Sequence, residues 1–131
     1  MLHRFLGIGQ TLLATAFTLL VWTHVAPFLK EPDAGQLIGY IMAGISVTML
    51  GVAYFVLVPR VPVRDPSMPV AAYWATPELA TKALRVWFVM EGAAVFAAIG
   101  FFLTALPITA IVMVFAIAAF WMTGPKVFAK A

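Results

Sequence analysis

Glu91 is the residue whose type and setting most clearly promise chemistry. It stands alone as an acid in an apolar run from Val86 to Ala105, a stretch long enough to fill a bilayer-spanning helix. An ionisable side chain at membrane depth costs roughly 2.5–3.5 kcal/mol on insertion scales, so such a group normally faces protein or a wet cavity. Burial without a nearby cation disfavours the charged form of a carboxyl. Poised near neutrality, such a group binds and releases protons; joined by carbonyls or hydroxyls, it takes a small cation. The structural alternative is a permanently protonated acid acting as hydrogen-bonding glue between helices.

Depth suggests its partners. Counted inward at 1.5 Å per residue, Glu91 lies about 8 Å into the apolar core, and Gln10 lies at a similar depth in the first apolar segment. Tyr54 and Thr123 fall within about one turn of that level. The expectation is that Gln10 or Tyr54 hydrogen-bonds the Glu91 carboxyl, the three forming a proton- or ion-binding group. Arg85 precedes Glu91 on the same helix but on a different face, so no cation is expected at that depth.

The elements that must hold these groups follow from hydropathy. Hydrophobic residues make up 64% of the chain and charged ones 10%, well below the roughly 25% usual for a soluble domain. Mean hydropathy is +1.05. Four apolar segments, about 5–28, 37–58, 77–105 and 108–127, are each long enough to cross a core of roughly 30 Å. The fold class expected is an all-α integral membrane protein, one four-helix transmembrane domain. Thr76, Pro77 and Glu78 supply an N-cap, a first-turn proline and a first-turn acid for the third helix. The first segment is too long for a signal-peptide core and is expected to be a retained helix.

Charge sets the orientation. Of the eight Lys and Arg residues, only Lys30 falls on the far side of the bundle, beside Glu31 and Asp33. Arg4, Arg60, Arg64, Lys82, Arg85, Lys126 and Lys130 share the side of the termini and the middle loop. The positive-inside rule then places both termini in the cytoplasm. The middle loop, 59–76, carries Pro59, Pro62, Pro66 and Pro69, which favour extended chain and exclude a helix there. It reads as a stiff spacer or a docking strap.

Helices in lipid approach through small side chains. Gly7 and Ala14 line such a stripe in the first segment, Gly44, Thr48 and Gly51 in the second, and Ala116 and Ala119 in the fourth. In the third, Ala94 and Ala98 follow Glu91 at helical spacing, so the acid shares the face best suited to meet another helix. A homo-oligomer or assembly with other membrane subunits is expected.

Other chemistry finds little support. Without cysteine there is no disulfide, thiolate site or cysteine nucleophile. The basic pI of about 9.6 reflects cations at helix ends, not nucleic-acid binding. No catalytic triad, phosphate loop or metal-ligand cluster is present, so no enzyme activity, metal or cofactor is expected. His3 and His24 lie roughly 30 Å apart along the first helix and read as interfacial side chains. Trp22, Tyr40, Trp74, Trp87 and Trp121 fall mostly toward segment ends, as in an aromatic belt.

The stretch Phe88-Val-Met-Glu-Gly-Ala-Ala-Val-Phe resembles the carboxylate helix of rotor-ring proteolipids, the c and K subunits of F- and V-type ATPases. Glu91, Gly92, Ala93 and Phe96 match its pattern of an acid, small residues and an aromatic. The resemblance implies a proton or sodium carrier at Glu91 and a homo-oligomeric ring. It covers one helix; the second segment lacks a proteolipid's glycine ladder, and the proline-rich loop departs from the usual short polar one. The whole chain is similar to small uncharacterised four-helix bacterial membrane proteins with an Arg-x-x-x-x-x-Glu-Gly stretch, here Arg85, Glu91 and Gly92. That similarity implies a bacterial inner-membrane location. Small multidrug exporters also have four helices and one membrane glutamate, but in their first helix.

The leading expectation is therefore a non-enzymatic, oligomeric membrane protein with a proton- or cation-binding carboxylate. The alternatives are an accessory subunit of a respiratory or photosynthetic membrane complex and, third, a small proton-coupled exporter.

Overall fold

Prolines mark where most of the helices of this chain start. The computed structural model describes residues 1–23 and 32–130, and the described residues are helical with no strand. Helix α1 spans Leu2–Trp22. Helix α2 spans Pro32–Gly51 and continues as a π-helical stretch, Val52–Leu57, and a 3₁₀ turn, Val58–Arg60. A short α3 (Val70–Ala75) precedes the long α4 (Pro77–Thr104); α5 (Pro107–Met122) and a short α6 (Pro125–Ala129) follow. Four helices are long and apolar enough to cross a membrane: Leu2–Trp22, Asp33–Arg60, Pro77–Thr104 and Pro107–Ala129. The chain thus has the helices of a multi-pass membrane protein. The predicted end of the first span, with His24, Lys30 and Glu31, lies outside the described residues.

Local chemistry explains the boundaries. Pro77, Pro107 and Pro125 each open a helix, where a missing N–H costs nothing. Thr76 does stand at the N-cap of α4, but its hydroxyl donates backward to the Ala72 carbonyl. Ala105, left-handed at φ 53°, ends α4 by returning its N–H to Phe101 O at 2.7 Å. Pro59 cannot donate to the carbonyl four residues back and crowds it, which accounts for the rewound end of α2.

The expectation of a helix-free middle loop is corrected by α3. The prolines stop at Pro69, which takes the N-cap position, and the six residues Val70–Ala75 form a helix before Pro77 begins the next. The loop is also tied down. Arg64 donates from Nε to Ala129 O at 2.6 Å and from its side chain to Met68 O, while its backbone N–H reaches Phe128 O at 3.0 Å. Tyr73, almost fully buried, donates its hydroxyl to Pro62 O at 2.5 Å; burial pushes its phenol above the usual range. The Ser67 hydroxyl and N–H both donate to Asp65, and these bonds hold its carboxyl below the usual carboxylate range. Loop, α3 and α6 thus form one cap on the end of the bundle, packed through Val61, Tyr73, Trp87, Phe120 and Phe128.

Helix α4 is the axis, touching α1, α2 and α5. It runs parallel to α1: His3 meets Trp87 edge-on at 4.9 Å between centroids, and Phe17 stacks on Phe102 at 4.4 Å. It runs antiparallel to α2, with Ser46 donating to Ala93 O at 2.5 Å and Met42 lying against Gly100. Alanines make these approaches possible: Ala93, Ala94, Ala97 and Ala98 of α4 are buried, as are Ala43 of α2 and Ala116 of α5. At Gly100 three helices converge. A Cβ there would lie 2.9 Å from Met42 Cβ and 3.2 Å from Thr109 Cγ2.

Gly100→Leu is accordingly expected to lower stability by about 1–3 kcal/mol. Thermal unfolding in detergent measures it; an unchanged midpoint would mean that α2 and α5 do not close on α4 at this level.

Candidate functional site

Two polar arrangements sit in the contact of α1 with α4 and α5. The first is created by the end of α5. Thr123 closes that helix, and Gly124 and Pro125 turn the chain into α6. A helix end leaves carbonyls without partners, and each such group buried away from water costs free energy. Here side chains of the other helices supply the donors. His3 Nε2 lies 2.9 Å from Phe120 O, and because a carbonyl only accepts, this nitrogen carries the proton. Trp87 Nε1 donates to Thr123 O at 2.8 Å. The Thr123 hydroxyl donates back to Ala119 O at 2.9 Å and also lies 3.1 Å from Met90 Sδ. The His3 ring is buried, stacked on Phe120 at 4.4 Å and edge-on to Trp87 and Trp121.

This arrangement differs from the sequence expectation. His3 and Trp87 were expected at the interface; both are buried and hydrogen-bonded inside the bundle. The signal that could have found them is Thr123-Gly124-Pro125 inside the fourth predicted span. That triplet ends a helix and calls for donors from elsewhere.

The second arrangement concerns Glu91 and Gln10. Glu91 is half-buried, and its carboxyl makes no hydrogen bond or ion pair among the described residues. Four residues beyond Trp87 and three before Ala94, it shares the face of α4 that meets α1. Gln10 is 3% exposed, and neither its Oε1 nor its Nε2 has a hydrogen-bond partner among the described residues. The pairs His3–Trp87 and Phe17–Phe102 put Gln10 level with about Ala94, roughly one turn (~5 Å) from the level of Glu91. The structure therefore brings these two residues to one seam without a bond between them. Leaving an amide buried and unpaired costs about 1–3 kcal/mol.

Tyr54 is placed elsewhere. It is 58% exposed in the π-helical stretch, edge-on to Phe55, and lines a recess of about 320 Å³ with Val47, Met90 and Phe115. That recess lies between α2, α4 and α5, away from the α1 face that carries Glu91. Arg85 is exposed on a different face of α4 from Glu91.

The packing residues divide in two. Gly7 lies against Trp121, whose Cζ2 would be 2.5 Å from an added Cβ, and Ala94, Ala98 and Ala116 are buried between helices. Gly44 and Gly51 face open space, with nothing within 4 Å of a Cβ, and Thr48 between them is exposed. Among the described residues no group of His, Asp or Glu is placed to hold a metal ion.

Fold and seam together define a class, a small helical bundle of four potential membrane spans with an acid on the central helix. Compared with protein-family models, curated proteins and solved structures, the chain matches none of them.

Trp87→Phe keeps an aromatic side chain, though a smaller one, and removes the donor to Thr123 O. It is expected to cost about 1–3 kcal/mol in thermal or denaturant unfolding. Wild-type stability in this variant would mean that the α5 terminus finds its partner elsewhere.

Proposed function

We propose that this chain is a non-enzymatic, oligomeric membrane protein whose Glu91 carboxyl exchanges a proton, or a small cation in its place, with Gln10 as its partner. The distribution of Lys and Arg favours both termini on the cytoplasmic side of a bacterial inner membrane. The observation that carries the reading is the Gln10 amide, buried, unpaired and about one turn from an equally unpaired carboxyl. An amide and a neutral carboxylic acid match in two hydrogen bonds: the acid O–H donates to Gln10 Oε1, and Gln10 Nε2–H donates to the acid carbonyl. A carboxylate can accept from Nε2 but has nothing to donate to Oε1. The amide thus distinguishes the two protonation states, as an exchange site requires. Tyr54 has no part in this version of the site.

A second reading rests on a different observation. The open face of α2, with Gly44, Thr48 and Gly51, suits close helix approach yet meets nothing among the described residues. Such a face suits another copy of this protein or a different membrane subunit, which keeps the accessory-subunit alternative in play.

A hydrophobic carbodiimide, which modifies protonated carboxyls in apolar surroundings, tests the lead reading on protein reconstituted in vesicles. Modification is expected at Glu91, falling as pH rises and absent in Glu91→Gln. Slowing by sodium would identify the cation form. Modification that ignores both pH and sodium would leave Glu91 a structural residue and contradict the proposal.

A further inference from the structure

A second site emerges at the end of the bundle where α1 begins and α6 leaves α5, and it does not depend on Glu91. There a recess of about 510 Å³ is lined by His3, Arg4, Trp121, Gly124 and Lys126, among others, with no side-chain carboxylate among the described residues of its wall. Arg4 and Lys126 are exposed, and neither makes a hydrogen bond or ion pair among the described residues. Elsewhere on the surface a neighbouring acid does compensate a cation, as where Lys82 pairs with Glu78 at 2.8 Å. In this recess the cations converge from two helices and are left uncompensated.

An apolar groove lies further along the same helices. Along the same α1–α5 seam runs a groove of about 320 Å³, lined by Ala14, Thr18, Trp22, Met113 and Ile117. Trp121 stands between the two: it walls the recess, and its Nε1 lies 3.4 Å from Oγ1 of Thr11, which lines the groove. The threonines do not make the groove polar. Thr11 and Thr18 each donate to the carbonyl four residues back, Gly7 O at 2.7 Å and Ala14 O at 2.8 Å, which leaves their methyl groups and the helix surface as the lining.

We infer that the α1–α5 seam binds an anionic phospholipid, its phosphate between Arg4 and Lys126 and one acyl chain along the groove past Trp121. The chemistry fits each part of the seam. Phosphate oxygens accept from the Arg4 guanidinium in a forked pair and from the Lys126 ammonium as a point charge. A basic recess between membrane helices, at the level where cationic side chains gather, is the usual form of such a headgroup site. Trp121 is amphipathic and belongs at the boundary between headgroup and chain. The small-residue bed of Ala14 and Thr18 gives an acyl chain a channel that a leucine-lined seam would fill.

The test uses the full-length protein in nanodiscs, with phosphatidylglycerol titrated into a phosphatidylcholine background and binding read by native mass spectrometry. Phosphatidylglycerol is expected to be retained over phosphatidylcholine. The Arg4→Gln/Lys126→Gln double variant should weaken retention roughly thirtyfold, about 1 kcal/mol for each cation near an anionic surface. Thr18→Trp, which fills the groove and leaves both cations, should displace the lipid as well. All three substituted positions are exposed, and unchanged thermal unfolding confirms that each variant is folded. Inorganic phosphate is the competing arm and should not displace the lipid. Equal retention of the two lipids, no loss in the double variant, or displacement by inorganic phosphate alone would each overturn the inference.

Discussion

A polar group buried away from water must find its partner inside the protein, and this structure is organised around that demand. The break at Thr123-Gly124 frees carbonyls at the end of α5. His3 and Trp87 reach across from α1 and α4 to accept that role. Those bonds fix α1 in the groove between α4 and α5, set the parallel register of α1 and α4, and bring Trp87 into the cluster with Tyr73 and Phe128 that seats the loop cap. Arg64 repeats the device outside the bundle by donating to the last carbonyl of α6. The thresholds are energetic: each unmet carbonyl would cost about 1–3 kcal/mol, a large share of the marginal stability of a small fold.

Against that background Gln10 is the exception. Its amide is buried at the same seam with neither atom bonded among the described residues, and the Glu91 acid of the central helix stands about a turn away. Polar groups that a structure leaves unpaired where its neighbours are all paired invite a functional explanation. The proposed exchange at Glu91 gives one, since only the neutral acid answers both halves of the amide. The alanine-rich face of α4 matters to this idea. Ala94 and Ala98 bring α1 close enough for side chains of ordinary length to meet across the seam.

Much of the fold was legible in the sequence. Pro77 marks a helix start at the residue where α4 begins, and the apolar runs delimit four helices able to span a membrane. Small residues at helical spacing predicted the buried faces around Gly7, Ala94, Ala98 and Ala116. Less legible were features that depend on tertiary partners. Hydropathy cannot say which of two tryptophans near a span end is buried, so Trp87 was read as part of a belt. It ran the fourth span through Thr123-Gly124 because apolar residues continue beyond them. Proline counting in the middle loop hid α3, since it overlooked the proline-free stretch after Pro69. Equal depth suggested Tyr54 beside Glu91, but depth does not specify direction around a helix, and α2 presents Tyr54 to another side.

The most direct measurement of the central claim is infrared difference spectroscopy on the protein in membranes, comparing acid and alkaline states in the carbonyl stretch of protonated carboxyls. The account predicts a band that disappears in Glu91→Gln and moves to higher frequency in Gln10→Leu, as the acid loses its bonds to the amide. A Glu91 band whose position is the same with and without Gln10, or no Glu91 band at any pH, would contradict it.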